Sequence, residues 1–219
     1  MITYRSLCVA IGASLCMLLY GCGQRKMPTP PMRNVHQVVS LVGVNTLGNP
    51  FAPAILGEFG DFQCLPCATF QLELLPKIRT NYIDRGMLRF AYFHLPLPVH
   101  PQAERAAQAA ECAGLQGAFW PMYDQLFADA RRLYDPDLVA HAREAGLDVD
   151  AFSRCMRGRA TEQLDHELRM AKELGLSSTP SFVIAQPDDS GGVMAIGVVA
   201  GPGWASAVMS AVAAVTKQG

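Results

Sequence analysis

Glu58-Phe59-Gly60-Asp61-Phe62-Gln63-Cys64-Leu65-Pro66-Cys67 lies where two periodicities meet. The apolar run from Ala52 to Phe62 reads as a buried strand, and beyond Cys67 the pattern turns helical. Cys64 therefore falls at a strand-to-helix junction, where unpaired backbone N–H groups and the helix dipole favour an anion. A thiolate is such an anion, so the Cys64 pKa is expected to be lowered. Cys67, one turn on, is placed to close a small disulfide with it. The blander readings are half a zinc site or a structural disulfide. A structural zinc needs more ligands, and the chain has no second C-x-x-C. A redox dithiol is the reading that the position favours.

Two further stretches carry a resemblance. Leu47-Gly48-Asn49-Pro50-Phe51-Ala52-Pro53 precedes the dithiol segment, and Ser178-Thr179-Pro180-Ser181-Phe182-Val183-Ile184 follows it far down the chain. Together they resemble the DsbA-like branch of the thioredoxin superfamily, in the family's order, from about Val38 to the C-terminus. The last segment resembles its cis-proline loop and following strand. The resemblance implies an α/β chain, a thioredoxin-like fold with an all-helical insertion at about 100–174, and thiol–disulfide exchange through Cys64 and Cys67. It also implies a role for Glu58, six residues before Cys64, in moving the proton of the second cysteine. The alternative for Glu58 is an edge carboxylate in solvent. Burial would raise its pKa. By the same resemblance Pro180 is cis and Thr179 presents its backbone to a bound peptide, the alternative being an ordinary trans turn. Many family members carry Cys-Pro-x-Cys, and DsbA itself has a histidine within the motif. Here the order is Cys64-Leu65-Pro66-Cys67, which removes one source of thiolate stabilisation.

The remaining composition is that of a globular chain: half apolar, with a net charge of −1. No basic stripe suggests nucleic acid, and no acidic tract suggests a solvated tail. The N-terminus is different. Arg5 is its only charge before Tyr20, and the apolar Leu7 to Tyr20 has the length of a signal-peptide core. Leu19-Tyr20-Gly21-Cys22 resembles a bacterial lipobox, although Tyr20 is unusual there. Residues 1–21 are thus expected to be a signal peptide and Cys22 the lipidated residue, with a plain secretory signal or an uncleaved anchor as alternatives. Residues 22–37, with Pro28, Pro30 and Pro31, read as a lipid-proximal linker, and 38–219 as the folded domain.

Cysteine count follows the same line. Of seven cysteines, Cys8 and Cys16 leave with the signal and Cys22 takes lipid. With Cys64 and Cys67 assigned to each other, Cys112 and Cys155 remain as candidates for a structural disulfide in an oxidising compartment. Two buried free thiols are the alternative.

Along the domain, Val38 to Val44 reads as an edge strand and 68–84 as a helix that Pro76 should kink. Met87 to Phe93 is the next strand, giving a βαβ unit. Helices follow at 102–113, 119–129, 136–145, 149–157 and 161–174, then a strand from 177, its partner at 193–200 and a closing helix at 204–217. Asp61 reads as a structural residue at a surface turn. His94 and His100 flank a loop bordering the active face, and His141 and His166 read as exposed.

The whole reads as an exported, lipid-anchored thiol–disulfide oxidoreductase of the bacterial envelope, working as an oxidase. Its expected partners are cysteine-containing exported proteins, a membrane redox protein that recycles the dithiol, and the membrane itself through the anchor. No nucleic acid, cofactor or metal is expected. The rivals are a reductase or isomerase of the same fold, and a copper-delivery or chaperone module. The copper carriers of this scaffold resemble a C-x-x-x-C with a distant histidine, a spacing this chain lacks.

Overall fold

The computed structural model describes residues 32–158, 162–188 and 193–217. The expected signal peptide, Cys22 and most of the expected linker lie outside the described residues. Six strands form one sheet in the order β1-β6-β5-β3-β4-β2. They are β1 (Arg33–Val38), β2 (Asn45–Leu47), β3 (Ile55–Gly60), β4 (Arg89–His94), β5 (Ser181–Pro187) and β6 (Val193–Ala200). β3 and β4 are parallel and joined through the first helical segment; the other neighbours are antiparallel.

β3 occupies the interior of the sheet, and all six of its residues are buried. Side chains alternate across it. Ile55 and Phe59 enter one apolar cluster with Phe93, Met170, Leu174 and Val183. Leu56 enters the other, with Tyr92, Phe70, Phe182 and Val208. Glu58, two residues from Leu56, takes that second face. Its register partners are Tyr92 on β4 and Phe182 on β5. Burial on both faces explains why this strand reads as a nearly continuous apolar run.

The first helical segment departs from the expected single kinked helix. α1 (Leu65–Thr69) and α2 (Leu75–Ile78) are α-helical, and each is followed by a π-helical turn, Phe70–Leu74 and Arg79–Ile83. Pro76 lacks an N–H and its ring would collide with the carbonyl four residues back. The π turn ahead of it widens the helix, and Pro76 then sits in the first turn of α2, where no intrahelical donor is needed.

Between β4 and β5 lie five helices: α3 (Ala103–Gly114), α4 (Phe119–Ala128), α5 (Asp135–Glu144), α6 (Val149–Met156) and α7 (Glu162–Glu173). A disulfide joins Cys112 of α3 to Cys155 of α6. The closing helix α8 (Trp204–Val215) packs on β5 and β6. α7 lies on the opposite face, contributing Met170, Ala171 and Leu174 to the Phe59 cluster.

Two expectations are corrected here. β1 begins at Arg33, so the strand takes the last residues assigned to the linker, and the apolar Val38 to Val44 run is mostly irregular, with a turn at Val42 and Gly43. As an edge strand paired only with β6, β1 tolerates the alternating polar sequence that looked like tether. The side chain of Arg33 fixes it further by donating to the carbonyl of Leu174 at the end of α7. His141, expected on the surface, is buried, with Nε2 3.0 Å from the Arg132 carbonyl.

Candidate active site

Chain direction brings Cys64 to the end of β3. The turn at 61–64 closes with the Cys64 N–H donating to the Asp61 carbonyl at 3.0 Å, and the Cys64 carbonyl accepts from the Ala68 N–H at 3.1 Å. Cys64 is the N-cap of α1, with extended backbone (φ −78°, ψ 114°). Leu65 beside it is 77% exposed, whereas Cys64 is 5% exposed and Cys67 fully covered. Both thiols are free.

The two thiols titrate in opposite directions. Cys64 is lowered to about 6. The chief cause is the hydrogen bond from the Cys67 thiol; the Thr179 side chain and the Cys67 backbone N–H add to it, against the opposing effects of burial and the Asp61 charge. Cys67 is pushed strongly upward, first by burial, then by donating to Cys64 and by the nearby Glu58. The lowering thus comes chiefly from Cys67 as donor, where the sequence suggested the helix terminus.

Glu58 is fully buried. Desolvation, then the charge on Cys64, holds its carboxyl well above the usual range. Its Oε2 accepts from the Tyr123 hydroxyl of α4 at 3.4 Å, and Oε1 has no protein partner. Gly60 makes room for the surroundings of this carboxyl: a Cβ there would lie 2.6 Å from the Tyr92 ring. Tyr92 and Tyr123 meet edge to face at 4.8 Å and close the apolar box around Glu58.

The Thr179–Pro180 peptide bond is cis and immediately precedes β5. The Cys64 sulfur lies 3.3 Å from the Thr179 carbonyl, with the thiol as donor. Cys64, Cys67, Glu58, Thr179 and Pro180, spread over more than a hundred residues of sequence, thereby converge at one end of the sheet. Cys112 and Cys155 are elsewhere, in the helical insertion.

Three residues around the site carry roles the sequence reading did not assign. Asp61, expected at a surface turn, is buried. Its carboxylate accepts the Gln63 and Leu97 N–H groups at 2.7 and 2.8 Å and meets His100 Nδ1 at 2.7 Å. His94 is buried, with Nε2 3.0 Å from Glu111 Oε1, while its backbone N–H donates to Glu167 Oε2 at 2.7 Å. Burial pulls its pKa down, but the Glu111 bond and the charges of Glu167 and Glu111 outweigh that and raise it. Tyr123 is the third. Phe119, Met122 and Leu126 are spaced as the buried face of that helix, and periodicity carries no signal for a hydroxyl aimed at a carboxyl. Among the described residues, no group of three or more His, Cys, Asp and Glu is arranged to hold a metal ion.

A family model described as thioredoxin matches residues 42–188. Among solved structures, α-DsbA1 of Wolbachia pipientis superposes with a TM-score of 0.67 at 22% identity, covering 82% of this chain and 94% of that one. A thioredoxin-like oxidoreductase of Silicibacter pomeroyi DSS-3 gives a TM-score of 0.62 at 26% identity, covering 80% and 92%. The fold is thus the DsbA-like thioredoxin fold with its helical insertion. A curated relative, Na(+)/H(+) antiporter NhaA 1 of Salinispora arenicola, is 38% identical over 135 residues, which is 61% of this chain but 20% of that protein. The chain spans about a fifth of the curated relatives it matches. Among the described residues no helix is long and apolar enough to cross a membrane.

Proposed function

We propose, from the premise that this chain belongs to the thioredoxin family, that it is a thiol–disulfide oxidoreductase of the bacterial envelope working through Cys64 and Cys67. The observation that carries this reading is the asymmetry of the pair. Cys64 titrates at about 6 at the mouth of the site, and Cys67 behind it is covered and strongly raised. The thiolate is the reactive species in disulfide exchange, and a thiol of low pKa is also the better leaving group.

The oxidase direction runs as follows. A substrate thiolate attacks the Cys64 sulfur, the Cys64–Cys67 bond breaks, and Cys67 leaves with the bond's electron pair. Its high pKa calls for a proton, and Glu58, which holds one in its apolar box, is the donor. A mixed disulfide now joins substrate and Cys64. A second substrate thiolate attacks the substrate's own sulfur and Cys64 departs as a thiolate. Two substrate thiols have become a disulfide, and the enzyme dithiol is reduced. A membrane redox partner accepts its two electrons and restores the disulfide. Thr179 and the cis-Pro180 loop, against the Cys64 sulfur, form the edge on which an extended peptide is held.

A thiol titrating at about 6 rather than the ordinary value favours the reduced form up to about tenfold at pH 7. We place the couple between thioredoxin and DsbA, because Leu65 offers no donor to Cys64 and Pro66 has no N–H. Substrates are cysteine-containing exported proteins, and the N-terminal signal with lipidation at Cys22 holds the domain at the membrane. Titration against glutathione buffers, paired with oxidation of a reduced unfolded protein, tests the reading. It expects a single two-electron couple in Cys64–Cys67 and substrate disulfides formed at its expense. A dithiol that fails to equilibrate overturns it.

A further inference from the structure

The loop at 95–102 and the turn before α1 are joined through one carboxylate. Asp61 takes two backbone N–H groups, one from its own turn and one from Leu97. Gln63 reinforces the joint by accepting the Gln102 N–H through Oε1. The Asp61 carbonyl in turn accepts the N–H of Cys64. The carboxylate is therefore held in a fixed position three residues from the reactive sulfur, and its negative charge works against a thiolate there. Among the described residues, the ionic partner within 4 Å of this carboxylate is His100, with Nδ1 at 2.7 Å. The Asp61 side chain is covered and His100 is 26% exposed, so the imidazole can exchange its proton with solvent.

The charged side chains beside His100 are acidic. It lines a cavity of about 380 Å³ together with Leu97, Glu104 of α3 and Asp165 of α7, and among the described residues no Lys or Arg shares that lining. On the Cys64 side the ionisable neighbours are Cys67 and Glu58, both of which favour holding their protons, and Asp61 itself. No histidine lies within Cys64-Leu65-Pro66-Cys67, so a charge that balances Asp61 must come from outside the motif.

We infer that His100 is a positioning residue for thiol exchange: its imidazolium neutralises the buried Asp61 carboxylate and so stabilises the Cys64 thiolate. The inference rests on the reading of Cys64 as the exchanging thiol. Its consequence is a dependence on pH, because histidine changes charge in the neutral range. While the imidazole holds its proton the pair is neutral overall; loss of that proton leaves Asp61 uncompensated.

The test follows the Cys64 thiolate across pH by its absorbance and by its alkylation rate, in the reduced full chain. His100→Asn keeps a donor beside Asp61 but carries no charge. His100→Lys keeps a charge in a different shape. H100N should move the Cys64 titration upward and cut the alkylation rate near pH 6 by about fivefold, a modest like-charge effect, with the rates converging in alkali. H100K should titrate at or below the wild type. An H100N protein that titrates like the wild type overturns the inference, and so do H100N and H100K shifted upward alike, which would mark lost packing. A parallel glutathione titration separates the two levels. A wild-type dithiol that does not exchange sinks the oxidoreductase reading, whereas a normal couple with an unmoved H100N titration sinks only the role of His100.

Discussion

Replacing Glu58 with Gln tests how the buried carboxyl is used. Gln preserves volume and a hydrogen-bonding partner for Tyr123, but it has no proton to give. The folded Glu58 has its pKa raised well above the ordinary value by desolvation and the Cys64 charge, whereas the unfolded chain titrates near about 4.3. A group raised in the folded state contributes stability that is fully present below its unfolded pKa and is lost as pH climbs toward the folded value. The wild type should therefore lose stability relative to E58Q from about pH 4.5 upward, by up to about 1.4 kcal/mol per pH unit while the folded carboxyl keeps its proton. Denaturant unfolding of the two reduced proteins at pH 4.5, 5.5, 6.5 and 7.5 reads this difference. Release of Cys67 in exchange should also slow about 100-fold in E58Q, at the low end of general acid–base effects. Parallel stability profiles for the two proteins would refute the buried, protonated carboxyl, and an unchanged exchange rate would refute its role as proton donor.

Removing the Cys112–Cys155 disulfide, by Ser at both positions, should cost about 4 kcal/mol on the chain-entropy model for a separation of 43 residues. Equilibrium unfolding reads it, with the Cys64–Cys67 couple left where it was. Exchanging Leu65-Pro66 for Pro-His should make the dithiol more oxidising, since the added histidine supplies a donor near Cys64; glutathione equilibration measures it, and an unmoved potential would show that the dipeptide does not set the poise. Cys22→Ser should shift the protein from the membrane fraction to the soluble envelope fraction without changing exchange in vitro, and unaltered membrane association would point to an uncleaved anchor.

What could be read from residue order follows from where the physics is local. Glu58 stood out because an acid inside Ala52 to Phe62 is hard to place unless buried with a purpose, and the strand does bury it. The dithiol and the cis-Pro180 loop stood out as motifs, while their meeting at 3.3 Å is a product of the β3–β5 pairing. The alternating polar residues of Arg33–Val38 gave no apolar signal, because an edge strand with partly exposed faces needs none. The π turns beside Pro76 depend on a hydrogen-bond register that residue types do not encode. Asp61, His94 and His100 looked unremarkable because their partners come from elsewhere. Asp61 meets a loop nearly forty residues on, and His94 meets two helices of the insertion.

The central claim is that Cys64 exchanges disulfides while Cys67 resolves them. A chain with Cys67→Ala, mixed with a reduced cysteine-containing protein under mild oxidation, cannot resolve the mixed disulfide and should accumulate it. Peptide mapping should place the linkage at Cys64, and the Cys64→Ala chain should form none. Absence of a trapped adduct in the first variant, or an equal yield from the second, would contradict the account.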